Sequence, residues 1–385
     1  MNELFKNLMA LVDPNDISKF FFKDFHTQLG TKCRVFSYNY ASYSDWLLPG
    51  ALEARGIMFE LDDKDEPVRI MARPMEKFFN LEENPFTMDL DLSELEYAMT
   101  KADGSLISTY VDQGILFTKS KTSISSSQAI EAKQLLLDIR YKELNQRALE
   151  LALDGFTCNF EYVAPNNRIV LSYDKKDLIL LNVRHNETGE YVPINELKAD
   201  PILRKYLIEV YPPRDDVDAD QMITEIREMV DIEGFVFQHS SGLKFKLKTE
   251  WYSNLHRVKD TLNNSEALFM VVVAGGSDDM KSLFTDDLSR SKIESFEIAF
   301  LNYLKNTTQF VFELQTKLKG ADRKTYAIEC QTILRNSDQL ELFGVMMELY
   351  KGADQEQTIK NINAVFMKNY KKYVPEGFET LKNEY

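Results

Sequence analysis

Cysteine is nearly absent: three in 385 residues, Cys33, Cys158 and Cys330. An odd, widely spaced set offers no disulfide framework and fits a reducing compartment. No CxxC pair occurs, the histidines (His26, His185, His239, His256) are scattered, and none forms HExxH, which argues against a zinc centre of ordinary spacing. Long hydrophobic runs are also missing. The longest strongly apolar stretch, Ala267 to Ala274, falls far short of a membrane span. The opening MNELFKNLMALVDPND has neither the basic lead nor the apolar length of a signal peptide. These absences predict a cytoplasmic protein without membrane contact. Basic charge is outnumbered, 46 Lys plus Arg against 61 Asp plus Glu, for a net charge of −15. A polybasic nucleic-acid coat is therefore not expected, although a local basic groove is compatible with screening over about 8 Å. The phosphate cradles GxxxxGK[ST] and GxGxxG and the nucleophile elbow GxSxG do not occur.

What is present is an ordinary folding composition, 44% apolar and 28% charged, long enough for two or three domains. Up to about residue 100, short helical and extended pieces mix with many aromatics. SLISTYVDQGILFT (105–118) reads as a hairpin around Asp112-Gln113-Gly114. From Ser126 to Asp154 the pattern is helical, with a serine cluster to cap it and Gly155 to stop it. Strand-like runs follow at Thr157–Val163, Arg168–Tyr173 and Leu178–Val183, with a turn at Pro165-Asn166-Asn167. Residues 216–230 suggest a helix. A second hairpin spans Gly234–His239 and Leu243–Leu247. Beyond about residue 255 only helical spacing remains, as in IESFEIAFLNYL. The expectation is an α+β chain with a sheet-rich domain over 1–255 and an all-helical domain over 256–385.

Four short motifs carry chemistry. In Thr100-Lys101-Ala102-Asp103-Gly104-Ser105, expected at the start of a strand, Lys101 is a possible nucleophile. A lysine amine attacks only when neutral, a form that burial or nearby cations favour. Asp103, two residues on, shares its face in an extended segment and could hold a metal ion or its waters. The bland alternative is a solvated lysine before a turn. Glu161 sits in the apolar and aromatic run Asn159-Phe160-Glu161-Tyr162; it is either functional or an edge-strand glutamate facing water. Glu233-Gly234-Phe235-Val236 opens another strand with a carboxylate. Lys246 and Lys248 in FKLK share one strand face. Such a pair either embraces an anion, for which a triphosphate is well suited, or guards a sheet edge.

The ordered set Lys-x-Asp-Gly, Phe-Glu-Tyr, Glu-Gly-x-Val, Lys-x-Lys resembles the covalent nucleotidyltransferases: ATP-dependent DNA and RNA ligases and mRNA capping enzymes. The stretches YNYASYSDWLLPGALEARGIMFE, RPMEKFFNLEENPFTM, TKADGS, NFEYVAPNNRIVL, FKLKTEWY and FMKNYKKYVPEG are similar to the RNA ligase 1 family of T-even bacteriophages, almost end to end. Arg55-Gly56 precedes Lys101, whereas in many superfamily members the Arg-Gly element follows the lysine; the phage family shares the arrangement seen here.

The resemblance implies a nucleotidyltransferase (adenylyltransferase) domain followed by a helical domain concerned with RNA or tRNA specificity. Lys101 would attack the α-phosphate of ATP to form a lysyl–AMP, and AMP would pass to an RNA 5′-phosphate before a 3′-OH seals the strand. Asp103, Glu161 and Glu233 would organise Mg²⁺, and Glu161 could also bind ribose hydroxyls. Lys246 and Lys248 would contact phosphates, with Arg55, Lys77 and Lys121 as further phosphate or ribose ligands. Tyr38 would belong to the nucleotide pocket and Tyr252 to the ligation step, unless both only pack the core. Asp278, in Ser277-Asp278-Asp279, matches a divalent-ion site but is equally explained as a helix-start acid. The segment Lys368–Tyr373 could touch RNA by phosphate contact and stacking, or be a terminal helix face. The implied substrate is a tRNA cut in its anticodon loop, rejoined in an infected bacterium after a polynucleotide kinase–phosphatase has repaired its ends. The alternatives are a capping guanylyltransferase or DNA ligase, which nucleotide choice would reveal, and a non-catalytic RNA-end-binding phage protein.

Overall fold

The computed structural model describes all residues except 15, 166–170, 172, 215–217, 285–286 and 379–385. The chain separates into two compact units, Met1–Asn254 and Leu255 onward.

The first unit holds three sheets. β1 (Phe20–His26), β2 (Lys32–Tyr38), β3 (Ile57–Leu61) and β4 (Pro67–Ala72) form an antiparallel meander. Helices α1 (Asn2–Leu11) and α2 (Tyr43–Trp46) join its core, where Phe5, Phe36 and Phe59 meet edge to face. After β5 (Phe79–Asn80) come β6 (Leu95–Thr100), β7 (Ser105–Asp112), β8 (Ile115–Ser120), β9 (Phe156–Val163), β10 (Asp177–His185), β11 (Val210–Tyr211), β12 (Gly234–His239) and β13 (Lys244–Lys248). They build a four-stranded sheet in the order β10-β9-β7-β8 and a five-stranded sheet in the order β11-β6-β12-β13-β5.

Both expected hairpins form. The β7–β8 turn places Gln113 and Gly114 at φ 45° and 79°, the left-handed pair that two-residue hairpins need. Helices α3 (Ser127–Leu137) and α4 (Lys142–Leu153) cover the four-stranded sheet around Ile107, Leu136, Leu144, Phe160 and Leu180. Ser126 caps α3 as expected, its side chain accepting from the Ala129 amide. The helical run is nevertheless broken at Asp138, whose side chain accepts from the Arg140 amide and starts a new turn; such local side-chain bonds compete with helix continuation. Two further helices, α5 (Ile194–Ala199) and α6 (Ala219–Glu228), complete this part, and α6 packs Met222 and Ile226 onto Phe237, Phe245 and Leu247 of the five-stranded sheet. The expected 216–230 helix is realised as α6, its first two positions lying outside the described residues. So do most of the expected strand at 168–173 and Asn166 and Asn167 of the expected turn.

Helix α7 (Glu250–Asn263) begins in the first unit. The second unit contains α8 (Ser265–Val273), α9 (Ser277–Ser282), α10 (Asp287–Lys317), α11 (Arg323–Asn336), α12 (Phe343–Tyr350) and α13 (Gln355–Lys368), with no strand among its described residues. Its cores gather around Phe269, Phe296 and Phe366, and around Val311, Cys330 and Met346.

Candidate active site

Lys101 does not start a strand. It lies in the connector between β6 and β7, where the chain leaves the five-stranded sheet for the four-stranded one. Its amide donates to the Gly234 carbonyl at 2.9 Å, which pins the connector to the start of β12. The Lys101 Nζ lies 2.8 Å from Oε1 of Glu233, and the Lys248 Nζ lies 3.0 Å from the same oxygen. Glu233 is 3% exposed and Lys101 is 22% exposed, so a buried carboxylate is clamped between two ammonium groups while the nucleophile candidate still reaches solvent. The anion between Lys101 and Lys248 is a side chain of the protein itself.

Asp103 is buried and turned inward. Its Oδ2 accepts from the Leu171 amide at 2.7 Å and its Oδ1 from the Tyr252 hydroxyl at 2.8 Å, while its own amide donates to the Tyr173 hydroxyl at 3.0 Å. Burial, followed by the Glu233 and Asp103 carboxylates, pushes the Tyr252 phenol upward. Tyr252 is thus both core packing and the partner of a motif carboxylate. Next to Asp103, a Cβ on Gly104 would sit 2.3 Å from the Tyr162 carbonyl, so only glycine lets β7 approach β9 there.

Glu161 lies on β9, an interior strand between β10 and β7, which removes the edge reading. Its Oε1 accepts from the Gly104 amide at 3.1 Å. Burial raises its carboxyl to about 7, with Lys101 opposing and Glu233 reinforcing. β13 is likewise interior, flanked by β12 and β5. Phe245 and Leu247 are buried on one face, and Lys244, Lys246 and Lys248 line the other. Burial lowers Lys246 to about 7, helped by the charges of Lys77, Lys248 and Lys101.

A 240 Å³ cavity collects Arg55, Phe78, Lys101, Glu161, Asn182 and Lys244 between the five-stranded sheet and the β10-β9-β7-β8 sheet. Tyr38 and Lys77 line a separate recess. There the Lys77 Nζ donates to the Tyr38 hydroxyl at 3.4 Å, and the Lys121 Nζ sits 4.4 Å from the Tyr38 ring centre. Burial pushes the Tyr38 phenol up, but Lys77, Lys121 and Arg55 outweigh it and hold it below its ordinary value.

Three features escaped the sequence motifs. Lys244 lines the cavity, and burial lowers it to about 8; its position two residues before Lys246 was the available signal. Lys119 is fully buried and donates to the Gly56 and Ser120 carbonyls, at 2.7 Å each, which ties the backbone beside Arg55 to the backbone beside Lys121. Glu53 accepts from both Arg73 and Arg184, and Arg184 also holds the Pro74 carbonyl, fixing the segment that leads to Lys77 and Phe78.

Residues 53–252 match the family described as RNA ligase, and residues 259–378 match the family described as T4 RNA ligase 1, C-terminal domain. The chain belongs to the T4 RNA ligase 1-like RNA ligases. Among relatives of this ligase, a protein of Thermovibrio ammonificans named "Putative RNA ligase" is 27% identical over 330 residues, covering 81% of this chain and 83% of that protein. RNA ligase 1 of bacteriophage TS2126 is 28% identical over 252 residues, 62% of this chain and 59% of its own length. A protein of Autographa californica nuclear polyhedrosis virus, named as a bifunctional polynucleotide kinase/RNA ligase, is 25% identical over 273 residues, 64% of this chain and 37% of its own.

Two sites for which the sequence leaves alternatives open have the following surroundings in the folded ligase. Asp278 is 90% exposed in the first turn of α9 and pairs with Lys281 at 2.9 Å, the arrangement of a helix-start acid. Among the described residues no three His, Cys, Asp or Glu side chains gather into a metal cage. Tyr373 packs against Tyr303 and Phe366, Tyr370 lies against Phe269, and Lys372 pairs with Glu341; both tyrosines are partly buried against the helical core.

Proposed function

We propose that the ligase seals RNA 5′-phosphate to 3′-OH ends with ATP, through a covalent AMP on Lys101. The neutral Lys101 amine attacks the α-phosphorus, a P–N bond forms as the bond to pyrophosphate breaks, and the nitrogen gives up a proton to solvent. An oxygen of an RNA 5′-phosphate then attacks the same phosphorus, and the lysine leaves and regains its proton. A 3′-OH finally attacks the activated 5′-phosphorus, loses its proton, and AMP departs. Splitting one condensation into three displacements lowers each barrier.

The observation that carries this reading is the Lys101–Glu233–Lys248 clamp beside the 240 Å³ cavity that Arg55, Lys101 and Glu161 line. Incoming phosphates take over Lys248 from the Glu233 carboxylate and bring the α-phosphorus to Lys101, which attacks as the neutral amine. Lys246 and Lys77 hold phosphate charge, Arg55 and Lys121 hold phosphate or ribose, Glu161 and Tyr38 position the nucleoside, and Tyr252 keeps Asp103 and its connector in register for sealing. Glu161 and Glu233 would hold Mg²⁺, a cation that suits carboxylates because it binds oxygen and keeps much of its hydration shell. When bound, the ion neutralises charge developing on the α-phosphate.

The kinase named in the baculovirus relative supports ends prepared by a polynucleotide kinase–phosphatase. Resemblance to the T-even phage ligases supports a cleaved tRNA as substrate in the infected bacterial cytoplasm, with the helical unit facing the tRNA and the first unit performing adenylyl transfer. The test is incubation with α-labelled ATP and Mg²⁺ without RNA, then denaturing separation and peptide mapping. Label on Lys101, absent from a folded Lys101→Ala protein, is the expected outcome; label that persists in that variant would refute the nucleophile. Labelling by GTP instead would move the protein to the capping class.

A further inference from the structure

A second groove, of 600 Å³, opens beside Lys101. It shares Thr100, Lys101, Ala102 and Ile208 with the 240 Å³ cavity, so the connector carrying the lysine is a wall of both. Apart from Tyr173, which supports the motif, the adenylyl-transfer chemistry gives the other polar side chains here no part. Arg140, Lys175 and Lys205 line the groove with Lys101, against the carboxylates Asp177 and Glu209. Each of these cations already carries a carboxylate partner, so the groove takes up a polyanion by exchanging those partners rather than by a standing excess of positive charge.

The present partners of these cations are replaceable. Arg140 lies 3.1 Å from Asp138, Lys205 2.7 Å from Glu143 and Lys175 3.4 Å from Asp177, with all three cations more than half exposed. Exposed pairs of this kind contribute only about 0–1 kcal/mol, so a phosphate can take over any of them. The half-buried rings of Tyr173 and Tyr206 line the same groove. Tyr173 also touches the motif, since its hydroxyl accepts from the Asp103 amide.

We propose that this groove holds the single-stranded RNA next to its reacting end, with backbone phosphates on Arg140, Lys175 and Lys205 and bases against Tyr173 and Tyr206. Phosphate contacts alternating with aromatic platforms are the usual means of gripping a single strand. The assignment rests on the lysyl–AMP reading, because the groove gains its purpose from an RNA end that must reach AMP on Lys101. It separates the two substrates spatially: nucleotide in the inner cavity, RNA in the outer groove, Lys101 between them.

The test uses the full chain and a short, fluorescent, 5′-phosphorylated oligoribonucleotide, with affinity measured across a salt series. Each phosphate contact to a single strand contributes about 0.7 to the slope of log affinity against log salt. The Arg140→Ala/Lys205→Ala protein should therefore bind more weakly and lose about 1.4 from that slope. A second arm uses the unmutated chain and RNA carrying 4-thiouridine near its 5′ end; crosslinks should map to the peptides containing Tyr173 or Tyr206. Unchanged affinity and slope in the double variant, or crosslinks confined to residues beyond 254, would overturn the groove. AMP labelling of the same unmutated preparation keeps the two claims apart. No label sinks the lysyl–AMP reading, whereas label together with unaltered RNA binding sinks the groove alone.

Discussion

Individual side chains in this ligase are tuned by burial more than by sequence neighbours. Lys246 is lowered to about 7 by burial and by the charges of Lys77, Lys248 and Lys101, so at pH 8 it is largely neutral before nucleotide arrives. Phosphates favour its ammonium form, and nucleotide binding at pH 8 should therefore take up protons. Calorimetry in buffers of different ionisation enthalpy measures this uptake, and Lys246→Met should remove that component. Lys119 gives a stability prediction. Burial lowers it from 10.5 to about 7. Between those values the unfolded chain holds a proton that the folded chain does not, so this group makes stability climb with pH from about 7 to about 10.5. Lys119→Met should abolish that contribution, and it should cost about 1–3 kcal/mol in urea unfolding by stranding the Gly56 and Ser120 carbonyls. Sequence exposes the types Lys101, Glu161, Glu233, Lys246 and Lys248 because their strand spacing is local. It does not expose Lys119 or the Asp103–Tyr252 bond, because their partners lie far along the chain and only folding brings them together.

At the scale of elements, alternation was the readable signal. Phe245 and Leu247 inward with Lys244, Lys246 and Lys248 outward is a period-two pattern that any reader of β13 can extract. Both hairpins were equally visible from their turn residues. The connector carrying Lys101 was misplaced at a strand start, since a short polar segment between two strands looks the same whether the chain continues one sheet or crosses to another. The interruption after α3 was missed because Asp138 is compatible with a helix until its side chain bonds the Arg140 amide. Sheet order was not legible, as β6 pairs with β12 across a long intervening sequence. Gly104 makes the closest element-scale prediction. Gly104→Ala forces a Cβ onto the Tyr162 carbonyl, so β7 must separate from β9. The expected result is a loss of more than about 2 kcal/mol in urea unfolding, with covalent AMP formation falling in parallel.

At the scale of the molecule, the two units have separate cores, and damage to one should stay there. Phe366 is fully buried among Phe269, Phe300, Tyr303 and Tyr373. Phe366→Ala should cost the helical unit about 3–5 kcal/mol, seen as an early thermal transition, while AMP labelling of the first unit below that transition continues. Charge is the other whole-molecule property. An acidic protein that must load a polyanion meets repulsion at long range, yet its site already harbours an anion in the Glu233 carboxylate. On the proposed reading, loading nucleotide is an exchange on a fixed resin: the resident carboxylate gives way to a phosphate on Lys248, and that lysine stands bare in neither state. Fewer small counterions are released than the number of phosphate contacts would suggest, so nucleotide affinity should fall less steeply with salt than that number predicts.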